Sequence, residues 1–197
     1  MRKTTFQLTA LLIVAMASAT AVGQDAGDNP LRQFDFMLGQ WEESHVAVSD
    51  TPELGVSKGE MLHSTLNTSL ILNGSAIESV GAYTGDGEAT VPTREIIYWD
   101  PVQQQIVHRF FGAGLFGGGT WKKVGDSMEL TWKLNGPNGK TYAGKSIVTP
   151  IDKDAYSWQI VDAKTNGEDQ PDSPLVRYQR PQEAPGPCQV KMQALEF

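Results

Sequence analysis

In Ser127-Met128-Glu129-Leu130-Thr131-Trp132-Lys133-Leu134 every second residue is apolar. Met128, Leu130, Trp132 and Leu134 share one face of a strand, while Glu129, Thr131 and Lys133 share the other. Such a strand buries one side and wets the other. Runs rich in β-branched and aromatic residues recur along the chain, and the pattern predicts strands over 41–48, 59–66, 75–84, 93–99, 105–111, 120–124, 128–134, 140–149, 155–161 and 176–180. Between them stand turn sequences: Asn73-Gly74, Gly85-Asp86-Gly87, Asp100-Pro101, Gly125-Asp126, Asn135-Gly136-Pro137-Asn138-Gly139 and Asp152-Lys153-Asp154. Asn-Gly and short Gly-containing links are hairpin connections, and few links here are long enough for a crossover helix. The prediction is an all-β antiparallel meander. A meander of this length removes its edges by closing or stacking, as a barrel or a sandwich, and the expected fold is a barrel of about 8–10 strands. Ile96-Ile97-Tyr98-Trp99 is apolar on both faces, which calls for a covered outer face or an apolar internal cavity.

Helical spacing occurs once in the region that follows the leader. Asn29-Pro30 precedes Leu31, Phe34, Met37 and Leu38. Asn is a good N-cap, Pro suits the first helical position, and Gly39 can end the segment in a left-handed conformation. One or two helical turns are expected there.

Before it, Arg2 and Lys3 lead into an apolar run over 8–17, followed by the small residues of Ala19-Thr20-Ala21 and Ala21-Val22-Gly23. A basic start, about ten apolar residues and a small-residue exit describe a secretory signal peptide. The run is too short to span a bilayer, which takes about 20 residues. The expected organisation is a signal peptide at 1–23, a barrel domain at 24–181 and a Pro-rich tail at 182–197. The mature protein is then expected in the periplasm or outside the cell, with no membrane span. Removing 1–23 takes two basic residues and no acidic one, so the net charge moves from −7 to −9. That balance argues against a nucleic-acid groove. The single cysteine, Cys188, lies in the tail and has no partner within the chain.

Two short motifs fail on context. Gly112-Ala113-Gly114-Leu115-Phe116-Gly117 fits a dinucleotide fingerprint, but Thr120-Trp121-Lys122-Lys123 resumes a strand where that motif must open a helix. A flexible Gly-rich hairpin loop is expected instead. Gly55-Val56-Ser57-Lys58-Gly59 fits a nucleophile elbow but lacks the strand-to-helix turn, and reads as an exposed loop. The histidines His45, His63 and His108 fall on separate strands without metal-binding spacing, so no metal site is expected. His108-Arg109 is the most distinctive polar pair. Facing a cavity it would bind an anion or act in acid–base chemistry; otherwise it is a surface pair on the wet side of a strand. Tyr98, Trp121 and Trp132 join them as candidate ligand-binding residues. Each of the five tryptophans, at 41, 99, 121, 132 and 158, either packs the core or walls a cavity.

Phe34-Asp35-Phe36-Met37-Leu38-Gly39-Gln40-Trp41-Glu42 resembles the start of a lipocalin-type or related calycin barrel. In that group a short helix leads into Gly-x-Trp, and the Trp packs under a basic residue from the last strand. The resemblance implies that Gly39 and Trp41 close the floor with Arg177 or Arg180, through a cation–π contact. Leu38-Gly39-Gln40-Trp41, Tyr98-Trp99-Asp100-Pro101, Gly118-Gly119-Thr120-Trp121 and 149–159 look like a bacterial family of secreted domains of unknown function, found alone or after SnoaL-like domains. That likeness implies a lipocalin-like barrel and supplies no activity or catalytic residue. Nitrobindin-like barrels, more distant in architecture, hold haem through a late histidine; this chain has no His after 108, so no cofactor is expected. The expected function is binding of a small, largely apolar ligand. The alternatives are an envelope interaction or structural protein with a filled barrel, and an isomerase, cyclase or hydrolase of the SnoaL-associated kind using His108, Arg109 and Tyr98. The sequence names neither a ligand nor an oligomeric state.

Overall fold

The structure, a computed structural model, describes residues 29–50, 52–85 and 90–181. The expected signal peptide at 1–23 and the tail at 182–197, with Cys188, lie outside the described residues. The strands are β1 (Gly39–Val46), β2 (Met61–Ile71), β3 (Ala76–Thr84), β4 (Thr90–Asp100), β5 (Gln105–Gly112), β6 (Leu115–Val124), β7 (Ser127–Asn135), β8 (Thr141–Asp152), β9 (Ala155–Thr165), β10 (Glu168–Asp169) and β11 (Val176–Gln179). From β1 to β9 each strand pairs antiparallel with the next, and β11 bridges β9 back to β1 through Glu42↔Gln179. β1 to β9 with β11 thus form a closed ten-stranded barrel, which leaves no continuous free edge. β10, absent from the sequence-based expectation, adds two residues along β9 beyond the end of β11.

The helical segment Pro30–Met37 is a 3-10 helix. Its buried residues, Leu31, Phe34 and Met37, recur every third position. Three residues per turn puts all three on one face, whereas 3.6 per turn would splay them. The Asn29 side chain accepts a hydrogen bond from the Leu31 N–H at 3.0 Å, satisfying one of the free donors at the helix start.

This helix plugs one end of the barrel. Phe34 meets Trp121 edge-on with ring centroids 5.3 Å apart, and Phe36 meets Tyr156 at 5.9 Å. Trp41 lies edge-on to Tyr156 at 4.8 Å, and Tyr156 stacks on Tyr178 at 4.9 Å. The Trp41 indole N–H donates to the Met37 carbonyl at 2.7 Å, tying strand to helix. Beneath the indole, the Arg180 guanidinium carbon sits 3.7 Å from the ring centroid, and its Nη1 donates to the Leu38 carbonyl at 2.7 Å. Gly39 has φ +104, and a Cβ there would collide with Arg180 Nη1. Glycine is therefore required twice over, by backbone conformation and by the approach of the guanidinium. The other arginine, Arg177, is half-exposed and pairs with Asp152 at 3.6 Å.

Gly117-Gly118-Gly119 corrects one expectation. These residues lie inside β6, not in a hairpin loop; the turn is confined to Ala113-Gly114. Added Cβ atoms at Gly118 and Gly119 would collide with the carbonyls of His108 and Thr131, on the two flanking strands. The missing side chains let β5 and β7 approach β6 closely, as tight barrel curvature requires. Gly55 to Gly59 is, as expected, a loop without a strand-to-helix turn, and Ser57 is exposed.

Candidate ligand cavity

Because alternate strand residues point inward, burial of Trp41 commits Glu43 and His45 to the interior as well. Their positions follow β1 away from the floor, into a cavity of about 320 Å³ in the other half of the barrel. On the same argument, Ile97 at the centre of β4 brings Glu95 and Thr93 inward, and Ile106 on β5 brings His108 and Phe110 inward. The far end is framed by residues 47–50 and Val56 from the β1–β2 connection, and by Gln170, Pro171, Ser173 and Pro174 before β11. Most of the wall is apolar, including Leu62, Phe110, Leu115, Trp132, Leu134 and Trp158.

Set into this wall are two carboxylate–imidazole pairs. His45 Nδ1 lies 2.9 Å from Glu43 Oε2, and His108 Nε2 lies 2.9 Å from Glu95 Oε2. The carboxylates are enclosed, with side chains 1% and 10% exposed respectively. Glu95 and His108 meet diagonally across β4 and β5, where Ile97 is the direct partner of His108. Tyr83, from β3, also lines the cavity; enclosure raises its hydroxyl well above the ordinary tyrosine value, and the charges of Glu95 and Glu43 add to the effect. Deeper in, the Ser64 and Tyr178 hydroxyls share a hydrogen bond at 3.0 Å, and Trp132 donates its indole N–H to Ser146 Oγ at 3.1 Å. Burial pushes the Tyr178 and Tyr156 hydroxyls up as well, with the neighbouring Tyr83, Glu95 and Glu43 contributing.

Some buried polar atoms have no partner among the described residues: His108 Nδ1, Thr93 Oγ1, Trp121 Nε1 and the Tyr156 hydroxyl. Buried polar atoms are ordinarily satisfied, so each is a hydrogen-bonding group left unpaired; of the four residues only His108 lines the cavity. Near the rim, burial alone would raise the Glu53 carboxyl, but hydrogen bonds from Tyr142 and Lys140 outweigh it and hold the group below its ordinary value. The same contact, together with burial, pushes Tyr142 up to about 12.

The structure separates the residues that sequence reasoning had grouped. His108 is inside the barrel, only 4% exposed, and is not a surface residue. Arg109, its neighbour, points outward and is exposed. Tyr98 is half-buried on the outer row with Ala76 and Val107, and does not line the cavity. Trp132 walls the cavity, as does Trp158. Trp121 belongs to the floor, edge-on to Phe34 below and to His108 above, the latter at 6.2 Å. Gly39, Trp41 and Arg180 meet at the floor, and Arg177 stands apart from them.

Glu43, Tyr83 and Glu95 are not singled out by the sequence, and His45 is weighed there only as a metal ligand. Their signal was the period of two: Glu43 and His45 continue the face of Trp41, and Glu95 shares a face with Ile97. Among the described residues, no three His, Cys, Asp or Glu side chains stand together as a metal site, and no helix is long and apolar enough to cross a membrane. Fold and site together define a closed antiparallel barrel with a packed floor and, above it, a largely apolar cavity bordered by two carboxylate–imidazole pairs. No family model matches this chain, and no curated protein matches it either.

Proposed function

We propose that this protein is an exported, lipocalin-like barrel that holds one small, largely apolar molecule in its upper half. The observation that carries the reading is the cavity of about 320 Å³ with apolar walls and a few enclosed polar groups. Ligand sites have this composition: area from apolar walls, orientation from a small number of placed polar atoms. Small barrels either fill with side chains or keep room for one ligand, and here the aromatic floor occupies only one half. Export rests on the leader sequence at 1–23. The enzymatic alternative loses support from geometry, because Arg109 and Tyr98 lie on the opposite wall face from His108.

The test is native mass spectrometry of the protein recovered from its own host, followed by denaturing extraction. The expected result is a discrete small molecule bound one to one and released on unfolding. Leu134→Trp, which fills part of the cavity, should arrive without it. A folded wild-type protein that retains nothing, and binds no apolar fluorophore that an added apolar molecule displaces, would overturn the reading.

A further inference from the structure

The chemistry of the cavity's polar groups goes further than its volume, and an inference about head-group class rests on the reading of the cavity as a ligand site. We propose that the ligand is an apolar molecule carrying a protonated amine, seated between Glu43 and Glu95.

Charge is the first argument. Among the described residues, the enclosed carboxylates of Glu43 and Glu95 and the exposed one of Asp50 line this space, and no arginine does. The one lysine in the lining, Lys164, pairs with Asp169 at 2.6 Å on the β9–β10 edge. The remaining titratable cations are His45 and His108, each already committed to a carboxylate. With both rings protonated the two pairs are neutral, and with both rings neutral they carry two negative charges. In neither state does the cavity attract an anion. A fatty-acid-like carboxylate entering it would lose its hydration with no cation to replace the lost water.

Hydrogen-bond polarity points the same way. A carboxylate accepts and cannot donate, so the proton between His108 and Glu95 sits on Nε2. In the neutral ring Nδ1 is then an acceptor, and it is buried without a partner. Glu43 and Glu95 therefore offer this space acceptors only, and an ammonium offers three donors and no acceptor.

The walls favour the same head group. Tyr83, Phe110, Trp132, Trp158 and Tyr178 line the same space. A desolvated ammonium gains by cation–π attraction wherever it reaches the face of such a ring. Enclosed carboxylates together with aromatic rings satisfy both the charge of an amine and its adjacent methylenes.

The experiment is calorimetric titration of the wild-type protein with three probes of one chain length: octylamine, octanol and octanoate. Octylamine should bind one to one, about tenfold or more tighter than octanol. Octanoate should bind weakest, and octanol should compete octylamine away, placing both in one site. In Glu43→Gln/Glu95→Gln the amine should fall to the affinity of the alcohol while the alcohol keeps its own. If octanol or octanoate equals or exceeds the amine, the head-group assignment is wrong and the apolar-carrier reading stands. If none of the three binds, both fall. Amine binding at several sites that octanol does not displace is attraction to the acidic surface, and overturns the assignment. Ranking and competition are read on the wild type, so the proposal remains decidable even if the double variant does not fold.

Discussion

Arg177 and Arg180 lie three positions apart at the end of the barrel, and either fits a sequence-based role as the cation beneath Trp41. Strand alternation puts them on opposite faces, so only one can reach the indole. Arg180 does, at 3.7 Å, while Arg177 makes a long surface pair with Asp152. Trp41→Ala should therefore cost about 3–5 kcal/mol, since it empties a fully buried site and strands the guanidinium. Arg180→Ala should cost about 1–2 kcal/mol, through the lost ring contact and the hydrogen bond to Leu38. Arg177→Ala should stay within about 0.5 kcal/mol. Denaturant unfolding of the three variants checks the order, and equal losses for the two arginines would break the assignment of the floor. His108 carries a residue-scale prediction of opposite sense to a surface role. Truncating it to Ala leaves the Glu95 carboxylate without its ring partner inside the barrel, and should cost about 1–3 kcal/mol. An unchanged denaturation midpoint would show that water or a ligand already satisfies Glu95.

Strands such as 127–135 declare themselves through unbroken alternation, and the turns between them through Asn-Gly and Asp-Pro pairs. What strand propensity hides is 115–119, because three successive glycines carry no β preference and read as loop. Their role is visible only across the sheet, where the His108 and Thr131 carbonyls occupy the space a Cβ would need. Gly119→Ala should consequently cost about 1–3 kcal/mol by forcing β6 and β7 apart. Gly119 is the direct register partner of His108, so the same change should also disturb the imidazole resonances of His108 in NMR. Gly74→Asn is the control: it has positive φ with open space around it, where Asn is tolerated, and it should lose less than about 1 kcal/mol. The cavity's acidic lining was legible in principle, from the two-residue period that carries Glu43 and His45 on the face of Trp41. It was obscured because Glu and His on a strand are ordinarily the wet face. Only closure of the ring shows that this row turns inward.

At the scale of the whole molecule, three of the five tyrosines, Tyr83, Tyr156 and Tyr178, share the interior with Glu43 and Glu95. Burial raises all three hydroxyls above 10.0, the value an unfolded chain would show, with Glu43 adding to each and Glu95 adding to Tyr83 and Tyr156. A raised folded value means that the native state keeps its protons where the unfolded state has already released them. Their contribution to stability is thus complete below about pH 10 and drains away as the pH climbs toward the folded values. The protein should accordingly lose this contribution, and unfold cooperatively, above about pH 10. Tyrosinate absorbance should rise in one step for these residues, coincident with the loss of near-ultraviolet circular dichroism. Smooth ionisation near pH 10 with the dichroism intact would mean that solvent reaches the phenols in the native state. That result would count against an enclosed interior, and with it against the low-dielectric setting in which Glu43 and Glu95 discriminate between head groups. Occupancy by the proposed amine adds a further check near neutral pH, where an alkylammonium keeps its proton. There, saturating octylamine should raise the thermal midpoint through binding to the native state alone, by an amount that grows with ligand concentration, and octanoate should leave it in place.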